Sequence, residues 1–133
     1  MRLALALVAL ALVAVGCGED DEEPAAASPS GALAQLTVTV DKDGEGGAAA
    51  KTTEVSCDAA GDSAVCGAVA KLPAKVFEPT PGDVACTQQF GGPETATVKG
   101  TLNGKAVDAE FSRSNGCEIS RWEKAQPLFE AGG

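Results

Sequence analysis

The stretch TATVKGTLNGKAVDAEFS, residues 95–112, decides the fold of this chain. Asn103-Gly104 stands at its centre, and both residues tolerate the positive φ that a type I′ turn requires. This pair is the strongest short hairpin signal in the sequence. We therefore predict an antiparallel hairpin whose strands run from Thr95 to Leu102 and from Lys105 to Ser112.

Two more strands are predicted nearer the start of the chain. Leu36 to Val40 alternates apolar and β-branched residues, which indicates a strand with one buried face. Glycine and charged residues turn the chain between Asp41 and Ala50, and Lys51 to Cys57 is predicted to be the next strand.

Two short helices complete the predicted domain. Asp62 or Ser63 can cap the first helix, and Pro73 ends or kinks it. Its apolar residues recur at helical spacing: Val65, Val69 and Leu72. The second helix is predicted from Cys117 to Ala125. Residues 32–133 are therefore interpreted as one small α+β domain.

The first 16 residues have the pattern of a bacterial lipoprotein signal peptide. A positive start, Met1-Arg2, precedes an apolar run from Leu3 to Val15, which is shorter than the roughly 20 residues of a membrane span. The small residue before Cys17 fits the box in which such proteins are acylated on cysteine and then cleaved. We expect export and a lipid anchor on Cys17 at the extracytoplasmic face of the cell membrane, with plain secretion as the alternative.

An acidic stretch follows this leader. Five consecutive acids, Glu19 to Glu23, repel one another and have no apolar partner, and a stretch rich in alanine and proline continues towards Gly31. Residues 17–31 are therefore predicted to be a disordered tether, with a plain solubilising tail as the alternative.

Composition excludes several classes of function. The formal net charge is −9 and there is no basic patch, so we expect no nucleic-acid partner. The chain has no histidine, so neither a Ser-His nor a Cys-His nucleophile pair can form. We therefore expect a protein that is not an enzyme and that binds no cofactor or metal.

Four cysteines lie in the predicted domain: Cys57, Cys66, Cys86 and Cys117. In an exported domain an even set of cysteines indicates two disulfides, and the short C-x-x-C pairs of zinc sites are absent. The residues alone leave all three possible pairings open. Pairing of neighbours would close loops of about 9 and about 31 residues, contributing about 3 and 4 kcal/mol in the chain-entropy model.

The segment from Pro79 to Pro93 lacks periodicity, is bounded by prolines and glycines, and has Cys86 near its middle. A disulfide at Cys86 would hold this loop extended. Protein inhibitors bind proteases through such loops, because the ordering entropy of the loop is already lost. The alternative is that Cys86 only joins a connecting segment to the terminal helix.

Two motifs resemble the Streptomyces subtilisin inhibitor family: Gly82-Asp83-Val84-x-Cys86 and Phe111-Ser-x-x-Asn115-x-Cys117-Glu118. The similarity extends from Leu36 to Trp122, with the four cysteines in matching order. The resemblance implies a five-stranded antiparallel sheet with two helices and a possible homodimer formed through the sheet. It also implies that neighbouring cysteines pair, as Cys57–Cys66 and Cys86–Cys117.

Carried over by position, the resemblance makes Gln88-Gln89 the reactive bond that is offered to a protease. Its non-primed side would be lined by three residues: Ala85, Cys86 and Thr87. Phe90 would lie just beyond the bond, and Asn115 would hydrogen-bond the loop from beneath. The implied function is a surface-tethered inhibitor of subtilisin-like serine proteases. The alternative is a non-inhibitory envelope lipoprotein or binding module on the same scaffold.

Overall fold

The computed structural model describes residues 31–61 and 63–131 of the chain. The predicted signal peptide, Cys17 and residues 17–30 of the predicted tether lie outside the described residues, and so does Asp62. Within the described ranges, no helix is both long enough and apolar enough to cross a membrane.

Four strands form one antiparallel sheet: β1 (Ala32–Asp41), β2 (Ala50–Asp58), β3 (Thr95–Leu102) and β4 (Lys105–Phe111). Their order across the sheet is β2-β1-β3-β4, so β1 is central and pairs with β2 and β3. Every strand predicted from the sequence is present. The predicted hairpin is confirmed, because Asn103 (φ 51°) and Gly104 (φ 74°) both have positive φ between β3 and β4.

The five strands implied by the resemblance are wrong for the described residues, which form four. The segment left for a further strand lies between Phe77 and Thr95, and it contains no strand. It carries three prolines, Pro79, Pro81 and Pro93, none of which can donate a ladder hydrogen bond. The coarser prediction of an α+β fold with an antiparallel sheet and two helices is confirmed.

The first predicted helix, α1 (Ala64–Val69), is shorter than expected. Ser63, one of the two predicted caps, accepts a hydrogen bond on its Oγ from the backbone N–H of Cys66 (3.1 Å). After Pro73 the chain forms a 3₁₀ turn, Ala74–Phe77, that was not predicted from the sequence.

The second helix, α2 (Gly116–Glu130), extends past its predicted end at Ala125 and through Pro127. A proline in a helix interior costs about 3 kcal/mol. Burial offsets this cost, because Leu128 is fully buried and Phe129 packs against the core. Each fully buried large apolar side chain contributes about 1.5–3 kcal/mol.

The core lies between one face of the sheet and the helices. Its largest fully buried side chains come from both layers: Leu36, Val38, Val69, Val98 and Leu128. At the end of β4, Phe111 makes edge-on contacts with Phe77 and Phe129, with ring centroids 6.4 and 5.3 Å apart. These contacts place the last turn of α2 and the 3₁₀ turn against the end of β4.

Candidate functional site

The two disulfides join neighbouring cysteines, as the resemblance implies. Cys57–Cys66 links the end of β2 to α1, with Cα atoms 5.5 Å apart. Cys86–Cys117 links the middle of the loop to the first turn of α2, with Cα atoms 5.4 Å apart. The second disulfide therefore places the predicted reactive loop against the start of α2.

One continuous segment, Arg113 to Arg121, holds the loop at several points, and we call it the anchor segment. Besides the disulfide, the backbone N–H of Gly116 donates a hydrogen bond to the carbonyl of Thr87 (3.0 Å). The backbone N–H of Gly91 donates to the carbonyl of Arg113 (2.7 Å). Both ends of the central loop are therefore tied to the same nine-residue stretch.

Three residues lie between these two backbone hydrogen bonds, and we call them the arch: Gln88, Gln89 and Phe90. All three are exposed, and they belong to no helix or strand. The predicted reactive bond, Gln88-Gln89, is therefore accessible, with a fixed attachment on each side.

The loop also carries the exposed apolar surface of the domain. Among the described residues, the exposed large hydrophobic side chains are Val84, at 48% exposure, and Phe90, at 70%. Phe90 was named from the sequence as a loop residue, whereas Val84 appeared there only as part of a motif, without a role. Val84 could have been found as an apolar residue that lies in a proline- and glycine-rich turn and has no periodic apolar partner. In the structure its backbone N–H donates a hydrogen bond to the Pro81 carbonyl (3.1 Å).

The entry to the loop is tied to α2 by side chains. Thr80 Oγ1 donates to Glu118 Oε1 (2.6 Å), and Arg121 Nη1 donates to Glu118 Oε2 (2.6 Å). Arg121 also donates from Nε and Nη2 to the carbonyl of Val76, and its Cζ lies 4.8 Å from the centroid of the Phe111 ring. The Glu118–Arg121 pair is only 15% and 12% exposed, so this contact is weakly screened by solvent.

Asn115 stands at the start of α2. Its Oδ1 accepts a hydrogen bond from the backbone N–H of Glu118 (3.0 Å), as expected of a helix cap. Asn115 thereby stabilises the turn that presents Gly116 and Cys117 to the loop. The direct hydrogen bond from Asn115 to the loop stays a prediction, since the side-chain bond that the structure shows is the cap.

The packing between loop and helix leaves no space at Gly116. A Cβ atom at this position would overlap Oγ1 of Thr87. The Thr87 side chain therefore packs against Gly116, and a larger residue at position 116 would force this side chain to move.

No protein-family model, curated protein or solved structure matches this chain. Within residues 31–61 and 63–131, no three acidic or cysteine side chains are grouped closely enough to hold a metal ion.

Proposed function

We propose that this protein inhibits subtilisin-like serine proteases by binding them through the arch and the residues just before it. One observation carries the proposal: an exposed three-residue arch is tied at both ends to the anchor segment. A protease binds its substrate as an extended chain. The arch offers such a chain with Gln88-Gln89 in the middle.

The ties reduce the entropic cost of binding. Ordering the backbone of a flexible residue costs about 1–2 kcal/mol, so the three arch residues would otherwise cost about 3–6 kcal/mol. In this protein the hydrogen bonds at Thr87 and Gly91 fix both ends of the arch and so reduce this cost before the protease arrives. The free energy gained by burying Phe90 and Val84 against the protease then increases the affinity, because less of it is needed to offset the ordering of the loop.

The same ties explain why cleavage would not destroy the complex. If the protease cuts the Gln88-Gln89 bond, the first half remains attached through Cys86–Cys117 and through the Thr87 carbonyl. The second half remains attached through the Gly91 N–H. The two cut ends stay close to each other, so the bond can form again faster than the products separate.

We further propose that Cys17 carries a lipid anchor and holds the inhibitor at the cell surface. The support is the apolar leader that ends in a small residue before Cys17. The intact mass of the protein recovered from membranes tests this point, and a mass without acyl chains would contradict it.

Titration of subtilisin with the full chain tests the inhibitory function. We expect stoichiometric inhibition and slow cleavage between Gln88 and Gln89. Gln88→Met should bind about 10- to 100-fold more tightly, because a subtilisin specificity pocket that is apolar must desolvate the glutamine amide at about 1–3 kcal/mol.

The matched control is Gln126→Met, the same change at an exposed position on α2 far from the arch in sequence. It should bind like the wild type. Micromolar or weaker binding by both the wild type and Gln88→Met would refute the inhibitory function and favour a binding module that docks through the same loop.

A further inference from the structure

The second half of the loop is held by an ion pair as well as by a hydrogen bond. Arg113 Nη1 lies 3.0 Å from Glu94 Oε1, and the two side chains are 31% and 30% exposed. Arg113 is also the residue whose carbonyl accepts the Gly91 N–H. Arg113 therefore contacts the loop exit twice. Its backbone carbonyl binds Gly91, and its guanidinium binds Glu94.

The chain at the loop exit is packed tightly against this pair. A Cβ at Gly91 would lie 2.9 Å from the Ile119 side chain and 3.2 Å from Cβ of Arg113. Gly92 has a φ of 142°, and a Cβ there would overlap the Glu94 carboxylate. The Glu94–Arg113 pair therefore lies directly beside the chain that leaves the arch.

The pair is not arranged for maximum stability. Glu94 Oε2 and Arg113 Nε are buried and have no hydrogen-bond partner among the described residues. Buried polar atoms without partners are costly, and a partly exposed ion pair contributes little to folding. Its position at the loop exit is better explained by a local role in holding the loop.

We propose that Glu94 and Arg113 are positioning residues that keep the Gln89 end in place after cleavage, so that the Gln88-Gln89 bond can form again. This inference rests on the proposed inhibitory function. Neither residue touches the reacting atoms; both act through Gly91 and Gly92.

The chemistry balances without any further reactant. The serine hydroxyl of the protease attacks the Gln88 carbonyl carbon, the bond to the Gln89 nitrogen breaks, and that nitrogen takes up a proton as an amine. In the reverse direction the amine of Gln89 attacks the ester, the amide bond forms, and the serine oxygen leaves and regains its proton. Water competes with the amine for the ester, so an amine held in place favours re-formation.

The test compares full-chain variants with the wild type: Arg113→Ala, Glu94→Gln and Arg113→Lys. Lys99→Ala is the matched control, since it breaks an exposed ion pair with Asp108 (3.7 Å, 65% and 73% exposed) on the sheet. Each protein is incubated with a catalytic amount of subtilisin, starting from intact and from cleaved chain. Mass spectrometry then gives the final ratio of intact to cleaved protein, and thermal unfolding is measured alongside.

We expect Arg113→Ala and Glu94→Gln to lower this ratio about tenfold, the factor that corresponds to about 1.4 kcal/mol. Lys99→Ala should keep the wild-type ratio, and Arg113→Lys, which retains the charge, should restore part of it. An unchanged ratio in Glu94→Gln and in the folded Arg113 variants would overturn the proposal while leaving inhibition intact. A wild type that does not inhibit subtilisin would refute the proposed function itself, and the role of the pair with it.

Discussion

Some residues of the loop could be identified from the sequence, and others only from the structure. Gln88, Gln89 and Phe90 could be named because a cysteine motif placed them, and the structure puts all three on the exposed arch. Val84 stands in such a motif without a role, and Arg113 occupies a position that the other motif leaves unspecified. Val84 stands out because its side chain is exposed, and Arg113 because its backbone carbonyl accepts the Gly91 N–H. Residue type predicts neither property.

Asp41 is a further residue whose role appears only in the structure. It is buried at the end of β1, and its two carboxylate oxygens accept hydrogen bonds from the backbone N–H groups of Asp43 (3.3 Å) and Gly46 (2.6 Å). A side-chain hydrogen bond with Asp43, followed by the Gly46 N–H, lowers the pKa of Asp41 below its ordinary value of 3.8. Asp41 therefore orders the turn between β1 and β2, and Gly44 in that turn packs against the carbonyl of Pro93.

The lowered pKa predicts a pH dependence of stability. Because the folded state favours the charged form, Asp41 stabilises the fold above pH 3.8, and this contribution is lost as the pH falls through the lowered folded pKa. Thermal unfolding of wild type and Asp41→Asn between about pH 7 and about pH 3 measures it. We expect the wild type to lose stability more steeply at the acid end. Asp108→Asn, an exposed carboxylate on β4, is the control; equal acid slopes for wild type and Asp41→Asn would contradict the assignment.

At the scale of elements, local patterns predicted strands better than helices. The type I′ turn at Asn103-Gly104 set the bounds of β3 and nearly those of β4. The end of α2 could not be predicted, because Pro127 indicates a break and the compensating burial of Leu128 depends on the core. The prediction of a fifth strand was wrong because it came from the family resemblance and not from the local sequence. The segment concerned is rich in proline and is tied to α2.

The start of α2 has two roles, as a helix terminus and as the support of the loop. Asn115→Ala should remove the cap on Glu118 and lower the free energy of unfolding by about 1 kcal/mol. We also expect faster proteolysis of the loop, because Gly116 and Cys117 sit in the turn that would fray. Thermal unfolding and the rate of cleavage at residues 85–92 by a broad protease measure the two effects.

Ser63→Ala is a matched control for this prediction. Ser63 caps α1 through the same type of bond, to the Cys66 N–H, beside the other disulfide and outside the anchor segment. It should destabilise the fold by a similar amount without increasing cleavage of the loop. If the two variants expose the loop equally, the effect of Asn115 would be one of global stability alone.

At the scale of the whole molecule, the loop and the start of the domain lie at opposite ends of the sheet. The carbonyl of Gly31 accepts from the Ala59 N–H, and that of Leu33 from the Asn103 N–H, so β1 begins beside the hairpin turn. Its other end, at Asp41, pairs with Thr95, where the loop returns to the sheet. Ten residues of strand separate the two ends, a distance of about 30 Å.

This polarity predicts that a tether at the start of the domain leaves the arch free to bind a protease in solution. Unlipidated full chain coupled to beads through the Cys17 thiol should bind subtilisin as tightly as the free protein does. Coupling through Glu45→Cys, in a chain that also carries Cys17→Ser, should weaken binding, because this exposed residue neighbours Gly44, which packs on Pro93 at the loop exit. The comparison is made by measuring the dissociation constant for each attachment. Weaker binding through Cys17 than through position 45 would show that the chain before Gly31 brings the arch towards the surface, and the proposed arrangement at the membrane would then be wrong.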